Sequence, residues 1–151
     1  MQIRALTLDD YPIVMPLLRQ RWEENGDGQS WGFPLNPDLE RYRWMSDADL
    51  WHAFGAFEDD ELIGYCAGST APTSFNATAK IYNNEIIYVK PEHQGGSAGA
   101  RLVHASEQKA RELGALRAVW HAHPGTRWDA ALQKHNYNLM HIVYSKELIR
   151  G

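Results

Sequence analysis

The 151-residue sequence holds one cysteine, Cys66, so no disulfide can close within the chain, and a reducing compartment suits it. It has no basic excess: 15 Lys and Arg stand against 19 Asp and Glu, for a net charge of −4. A protein that tracks nucleic-acid phosphates carries a basic surface, so that class is set aside. Long apolar runs are missing too. None approaches the roughly 20 residues needed to span a bilayer, so no membrane association is expected. Residues 1–20 include Arg4, Asp9 and Asp10 and lack the apolar core of an ordinary signal peptide, which makes a cytoplasmic location the expectation. No internal repeat or low-complexity linker divides the chain, which reads as one domain over 1–151.

What is plentiful is aromatic. Six Trp and seven Tyr in a chain that is 44% hydrophobic point to a packed core or a binding groove rather than disorder. Residues 2–7 ("QIRALT") alternate as a strand, and Thr7 with Asp10 forms a capping box for a helix over about Leu8–Glu24. Pro12 is tolerable there because it falls in the first turn. "NGDGQSWGFPLNP" (25–37) reads as a long loop and "DLERYRWM" as a short helix. "WHAFGAFE" and "ELIGYCAGS" are two strands joined at Asp59-Asp60, a hairpin signature, and "IYNNEIIYV" (81–89) is a third. Residues 98–113 place Gly99, Leu102, Val103, Ser106, Ala110 and Leu113 on one helical face. "LRAVWHAH" then reads as a strand, "RWDAALQKH" as a helix and "LMHIVYSKEL" as a closing strand. The predicted order is βααβββαβαβ, a mixed α/β (α+β) class.

Between the third of those strands and the helix at 98 lies the densest glycine cluster, Gly95, Gly96 and Gly99, with Ser97 among them. A helix N-terminus presents unpaired N–H groups and partial positive charge. Glycine lets an anion approach such a backbone without a Cβ in the way. The pattern is neither a P-loop, which needs a Lys-Ser/Thr that is absent, nor the dinucleotide fingerprint G-x-G-x-x-G. A tight strand-to-helix turn is the plain structural alternative.

Gln94-Gly95-Gly96-Ser97-Ala98-Gly99, preceded by "YVKPEH" and followed by "ARLVHASEQKARELGA", resembles motif A of the GCN5-related N-acetyltransferases (GNAT). Gln94 fits the first position of that motif and Gly99 the last, while Ser97 replaces its middle glycine. The predicted element order is also that fold's order, with a mostly antiparallel central sheet flanked by helices and splayed strands at the cofactor site. The resemblance implies an acetyl-CoA-dependent acyltransferase that passes an acetyl group directly to an amine. It implies that the N–H groups of Gly95, Gly96, Ser97, Ala98, Gly99 and Ala100 bind the diphosphate. It also implies that the edge of Ile87, Tyr88 and Val89 pairs with the pantetheine arm. "WHAHPGT" and "YSKEL" further resemble compact acetyltransferase-like proteins encoded by bacteriophages. Family members are often homodimers, though no exposed apolar helix in this sequence forces one.

Amine acetylation requires a neutral amine. Removing the proton of a lysine-like amine at pH 7 costs roughly 4 to 5 kcal/mol, so a general base is valuable. Glu85 interrupts an otherwise apolar strand, where a carboxylate is expensive unless paired or wetted. It also lies nine residues before Gln94, where several GNAT members carry a catalytic glutamate. The acid is less marked. Many relatives carry a tyrosine four residues before a Gly-Phe pair; here Asn136-Tyr137 stands for the pair and Leu132 for the tyrosine. Tyr137, Tyr144 or a water is left to protonate the thiolate. The alternative that Leu132 and Ser97 raise is a GNAT-like binding or structural protein without turnover.

His121 and His123 are placed on one face of the "LRAVWHAH" strand, with no third ligand at recognisable spacing, so no metal is expected. Cys66 reads as a buried, inert thiol. Glu23, Glu24 and Asp27, with Trp22, Trp31 and Phe33, read either as a lure for a cationic amine on the acceptor side or as a solvated acidic loop over a partly buried aromatic cluster.

Overall fold

The computed structural model describes residues 1–148. They fall into two compact units, Met1–Trp120 and the stretch from His121 onward.

The first unit is built on a five-stranded sheet in the order β1-β2-β3-β4-β5. Its strands are β1 (Gln2–Leu6), β2 (Trp51–Glu58), β3 (Glu61–Thr73), β4 (Asn76–Val89) and β5 (Ala115–Val119). The first four pair antiparallel, and β5 pairs parallel to β4. Local chemistry sets the connections. The Thr7–Asp10 capping box forms as expected, opening a 3-10 turn (Leu8–Asp10) that leads into α1 (Tyr11–Glu24). Asp59 and Asp60 both take positive φ, 49° and 65°, the primed turn whose twist matches a hairpin.

Two helices cover opposite sheet faces. On one, Leu17 of α1, with Val14 and Leu18, packs onto Leu6, Phe57, Leu62, Tyr65 and Tyr88. On the other lies α4 (Ala98–Glu112), whose buried stripe Ala98, Leu102, Ser106 and Ala110 recurs every fourth residue. Its Leu102 is fully buried against the Ala56, Ile63 and Cys66 cluster, a contribution of about 2 kcal/mol for one side chain.

Two expectations change in this unit and one holds. The loop over 25–37 contains a short helix, α2 (Asp27–Trp31), anchored because Asp27 is buried and ion-paired with Arg21 at 3.2 Å. The short helix that follows is α3 (Leu39–Asp47), with Asp38 as its N-cap accepting from the Arg41 amide. The strand expected at "LRAVWHAH" stops at Val119.

In the second unit α5 (Arg127–Lys134) forms where expected, its N-cap Thr126 accepting from the Asp129 amide. The closing strand does not form: residues 137–148 carry no helix or strand. Strand patterning alone cannot make a strand without a partner, and among the described residues this unit has none to offer. The described order is therefore βαααβββαβα, still mixed α/β with a mostly antiparallel sheet between helices.

Candidate active site

At the end of β4 the chain turns through Pro91–His93 and Gly95, whose φ of 89° suits glycine, before α4 begins at Ala98. Ser97 is the N-cap but makes no side-chain capping bond, so its hydroxyl does not occupy the first amides of α4. A Cβ added at Gly99 would meet nothing within 4 Å. The space over the first turn of the helix is thus open, as an incoming anion requires. Gln94 is not aimed at that space: its Nε2 donates to the Val89 carbonyl at 2.9 Å, tying the turn to the strand. A cleft of about 160 Å³ reaches Gly96, Ser97 and Ala98 from the side of Met1, Glu58 and Ile63. It lies toward β1 and β2, and its Glu58 carboxylate faces the N-terminal amine at 3.9 Å, a poor setting for a phosphate.

The ladder between β4 and β5 ends at Asn83 opposite Val119. Beyond it β4 runs on to Val89 paired only with β3, so among the described residues the edge of Ile87, Tyr88 and Val89 away from β3 has no partner strand. The open edge starts where β5 stops at Val119.

Glu85 sits at a break in register. Ala67 opposes Ile86 and Gly68 opposes Asn84, leaving Glu85 as the extra residue of a β-bulge. The bulge flips the pleat. Asn84 points to the α4 face, where it touches Cys66 and Tyr82, while Ile86 packs into the cluster on the α1 face. Glu85 is turned toward α3. There Tyr42 Oη donates to Glu85 Oε1 at 2.6 Å and Trp51 Nε1 donates to Oε2 at 3.2 Å. The carboxylate stays exposed. Burial, then the hydrogen bond to Glu85, pushes the Tyr42 phenol well above its ordinary range, so it remains a donor.

Behind the bulge, Asn84 Nδ2 donates to the Ala67 and Ile86 carbonyls at 3.1 and 3.0 Å. Gly68 leaves room for the network: a Cβ there would lie 2.6 Å from Tyr82 Oη and 2.7 Å from the Asn83 carbonyl. Cys66 is fully buried and accepts from Ser106 at 3.2 Å, with burial pushing its thiol up to about 11, the inert state expected of it.

The sequence profile of the acetyltransferase (GNAT) family matches residues 12–134. The chain belongs to the GNAT acetyltransferase family. As such it is an acyltransferase. No curated protein sequence matches it. Among solved structures it resembles an aminoglycoside acetyltransferase, meta-AAC0020, from an uncultured soil metagenomic sample, in complex with trehalose, with a TM-score of 0.75 and 15% identity over 99% of this chain and 96% of that one. It also resembles a ribosomal-protein-alanine N-acetyltransferase from Brucella melitensis biovar Abortus, with a TM-score of 0.68 and 20% identity over 100% of both chains. A third likeness is to aminoglycoside N-acetyltransferase AAC(6')-Iy in complex with CoA, with a TM-score of 0.70 and 15% identity over 98% of this chain and 100% of that one. At such identities the likeness is one of fold.

In this GNAT chain the other sequence-singled residues fall apart. Asp27 is taken by Arg21, and Glu24 accepts from Tyr88 Oη at 2.9 Å and from Gln20 at 2.9 Å, so neither is a free acidic lure. Glu23 remains exposed. Trp22, Phe33 and Trp31 do form a chain of rings, with centroids 6.1 and 5.9 Å apart. His121 and His123 lie beyond the end of β5, in irregular chain of the second unit, rather than on a shared strand face. Tyr137 follows α5 in that unit, its amide donating to the Leu132 carbonyl, and Tyr144 is exposed. Among the described residues no group of three or more His, Cys, Asp or Glu gathers as metal ligands would, and no helix is long and apolar enough to cross a membrane. Tyr42 and Trp51 went unnoticed in the sequence; they stand 43 and 34 positions from Glu85, a separation that no local pattern spans.

Proposed function

We propose that this GNAT acetyltransferase moves an acetyl group from acetyl-CoA directly to an amine. The observation that carries the reading is the unpaired length of β4 running from the Glu85 bulge to an open glycine turn. The amides of Gly95 to Ala100, at the positive end of α4, would hold the diphosphate. The backbone of Ile87, Tyr88 and Val89 would hold the amide-bearing arm as a further strand. When bound, acetyl-CoA supplies an activated acyl group. Glu85 takes the proton of the incoming amine, directly or through water, from a carboxylate already oriented by two donors. Main-chain N–H groups of the unpaired edge are available to the carbonyl oxygen as negative charge grows on it. A water supplies the proton for the departing thiolate, which is a good leaving group. The acceptor class is a cationic amine, drawn by Glu85 and Glu23 toward the rings of Trp22, Trp31 and Phe33.

The test is a thermal-shift titration with acetyl-CoA followed by a thiol-release assay over protein N-termini, lysine peptides, polyamines and aminoglycosides. Acetyl-CoA is expected to raise Tm, and one amine class to release thiol. Glu85→Gln is expected to keep the shift and lower turnover about a hundredfold. No shift at millimolar acetyl-CoA sinks the proposal.

A further inference from the structure

We infer that Tyr42 and Trp51 are positioning residues that hold the Glu85 carboxylate in the one orientation its role requires. The inference rests on the reading of Glu85 as the base and deepens it. An exposed glutamate on a strand ordinarily samples several rotamers. Here each oxygen is tied separately, Oε1 by Tyr42 Oη at 2.6 Å and Oε2 by Trp51 Nε1 at 3.2 Å. The two donors brace each other, with ring centroids 5.2 Å apart and planes inclined by 49°.

Neither partner competes for the proton. Indole N–H is a donor only, and the Tyr42 phenol is held protonated by burial and by Glu85 itself. An ionised carboxylate offers about four lone-pair sites, so two donors leave the rest to an acceptor amine or its bridging water.

The frame is also anchored in three places. Tyr42 comes from α3, Trp51 opens β2, and Asn84 pins the bulge backbone from the opposite sheet face. A side chain fixed at one end by its bulge and at the other by two donors is pre-organised, and small misplacements of a base are costly in rate.

The experiment is a double-mutant cycle on kcat, using acetyl-CoA and the best amine from the panel above. Tyr42→Phe removes one oxygen and keeps the ring. It is expected to lower kcat about tenfold, with the acetyl-CoA thermal shift and KM for acetyl-CoA unchanged. In a Glu85→Gln background the same change is expected to alter kcat less than about twofold, because the group it positions is gone. Trp51→Phe follows the same course with a smaller factor, as befits its longer bond, and serves as well should Tyr42→Phe fold poorly. Wild-type kcat in Tyr42→Phe, or an equal loss in both backgrounds, overturns the inference while leaving the proposed function standing. Wild-type turnover in Glu85→Gln removes the base itself, and the inference with it.

Discussion

The two halves of β4 share one strand and live under different rules. From Lys80 to Asn83 it is hydrogen-bonded on both sides, to β3 and to β5. From Asn84 to Val89 it keeps β3 alone. In the first half Tyr82 is fully buried, stacked on His52 with ring centroids 5.2 Å apart and packed against Trp120 at 5.4 Å. In the second half the chain bulges, exposes a carboxylate and has no second strand beside it, its Val89 carbonyl accepting instead from Gln94. Unpaired edges are ordinarily blunted because they recruit other strands. Here one is left open where it meets a helix N-terminus, the arrangement that the proposed acetyl-CoA site needs.

The comparison breaks most visibly at the helix end of the open half. Gly99→Glu places a carboxylate in the first turn of α4, where it favours the helix, so the fold is expected to survive. The acetyl-CoA thermal shift, by contrast, is expected to vanish, since bulk and negative charge now fill the space over the amides. A retained shift would move the diphosphate elsewhere.

The hinge between the halves is sensitive next. Gly68→Ala forces a methyl against Tyr82 Oη and the Asn83 carbonyl. The expected loss is about 1–3 kcal/mol, or several degrees in Tm by scanning calorimetry. An unchanged Tm would show that the bulge relaxes freely.

The closed half should report through pH. Burial, and then the charge of Lys109, hold His52 down at about 4 from its ordinary 6.5. Between those values the unfolded chain binds a proton that the folded chain refuses. Stability is therefore expected to fall as pH drops from 6.5 to about 4 and to level off below that. The effect is a few degrees at most. His52→Gln should flatten that part of the Tm–pH curve, and an unaltered slope would assign the effect to other groups.

Much of this was legible because it was written locally. The glycine turn, the Asp59-Asp60 hairpin and the Thr7 capping box each depend on a handful of neighbouring residues whose backbone preferences suffice. Glu85 stood out as a carboxylate in apolar surroundings. The bulge that aims it did not, because register is decided by the pairing with β3, where Gly68 and Asn84 meet across 16 positions. Tyr42 and Trp51 were hidden for the same reason. Asp27 and Glu24 looked available only while their partners, Arg21 and Tyr88, were unknown. The segment 139–148 shows the converse: its alternation promised a strand, yet pattern without a partner leaves Leu139, Val143 and Leu148 in solvent.

The parallel pairing of β4 with β5 has a kinetic consequence. Strands β1 to β4 meet antiparallel, β2–β3 and β3–β4 through short turns, whereas β5 can reach β4 only after the chain has crossed the sheet through α4. Loop closure over that distance delays the contact, so the ladder at Lys80–Asn83 belongs to the late stages of folding. The open edge of β4 begins where that ladder ends, so its boundary is drawn only after the β2–β3–β4 meander has formed.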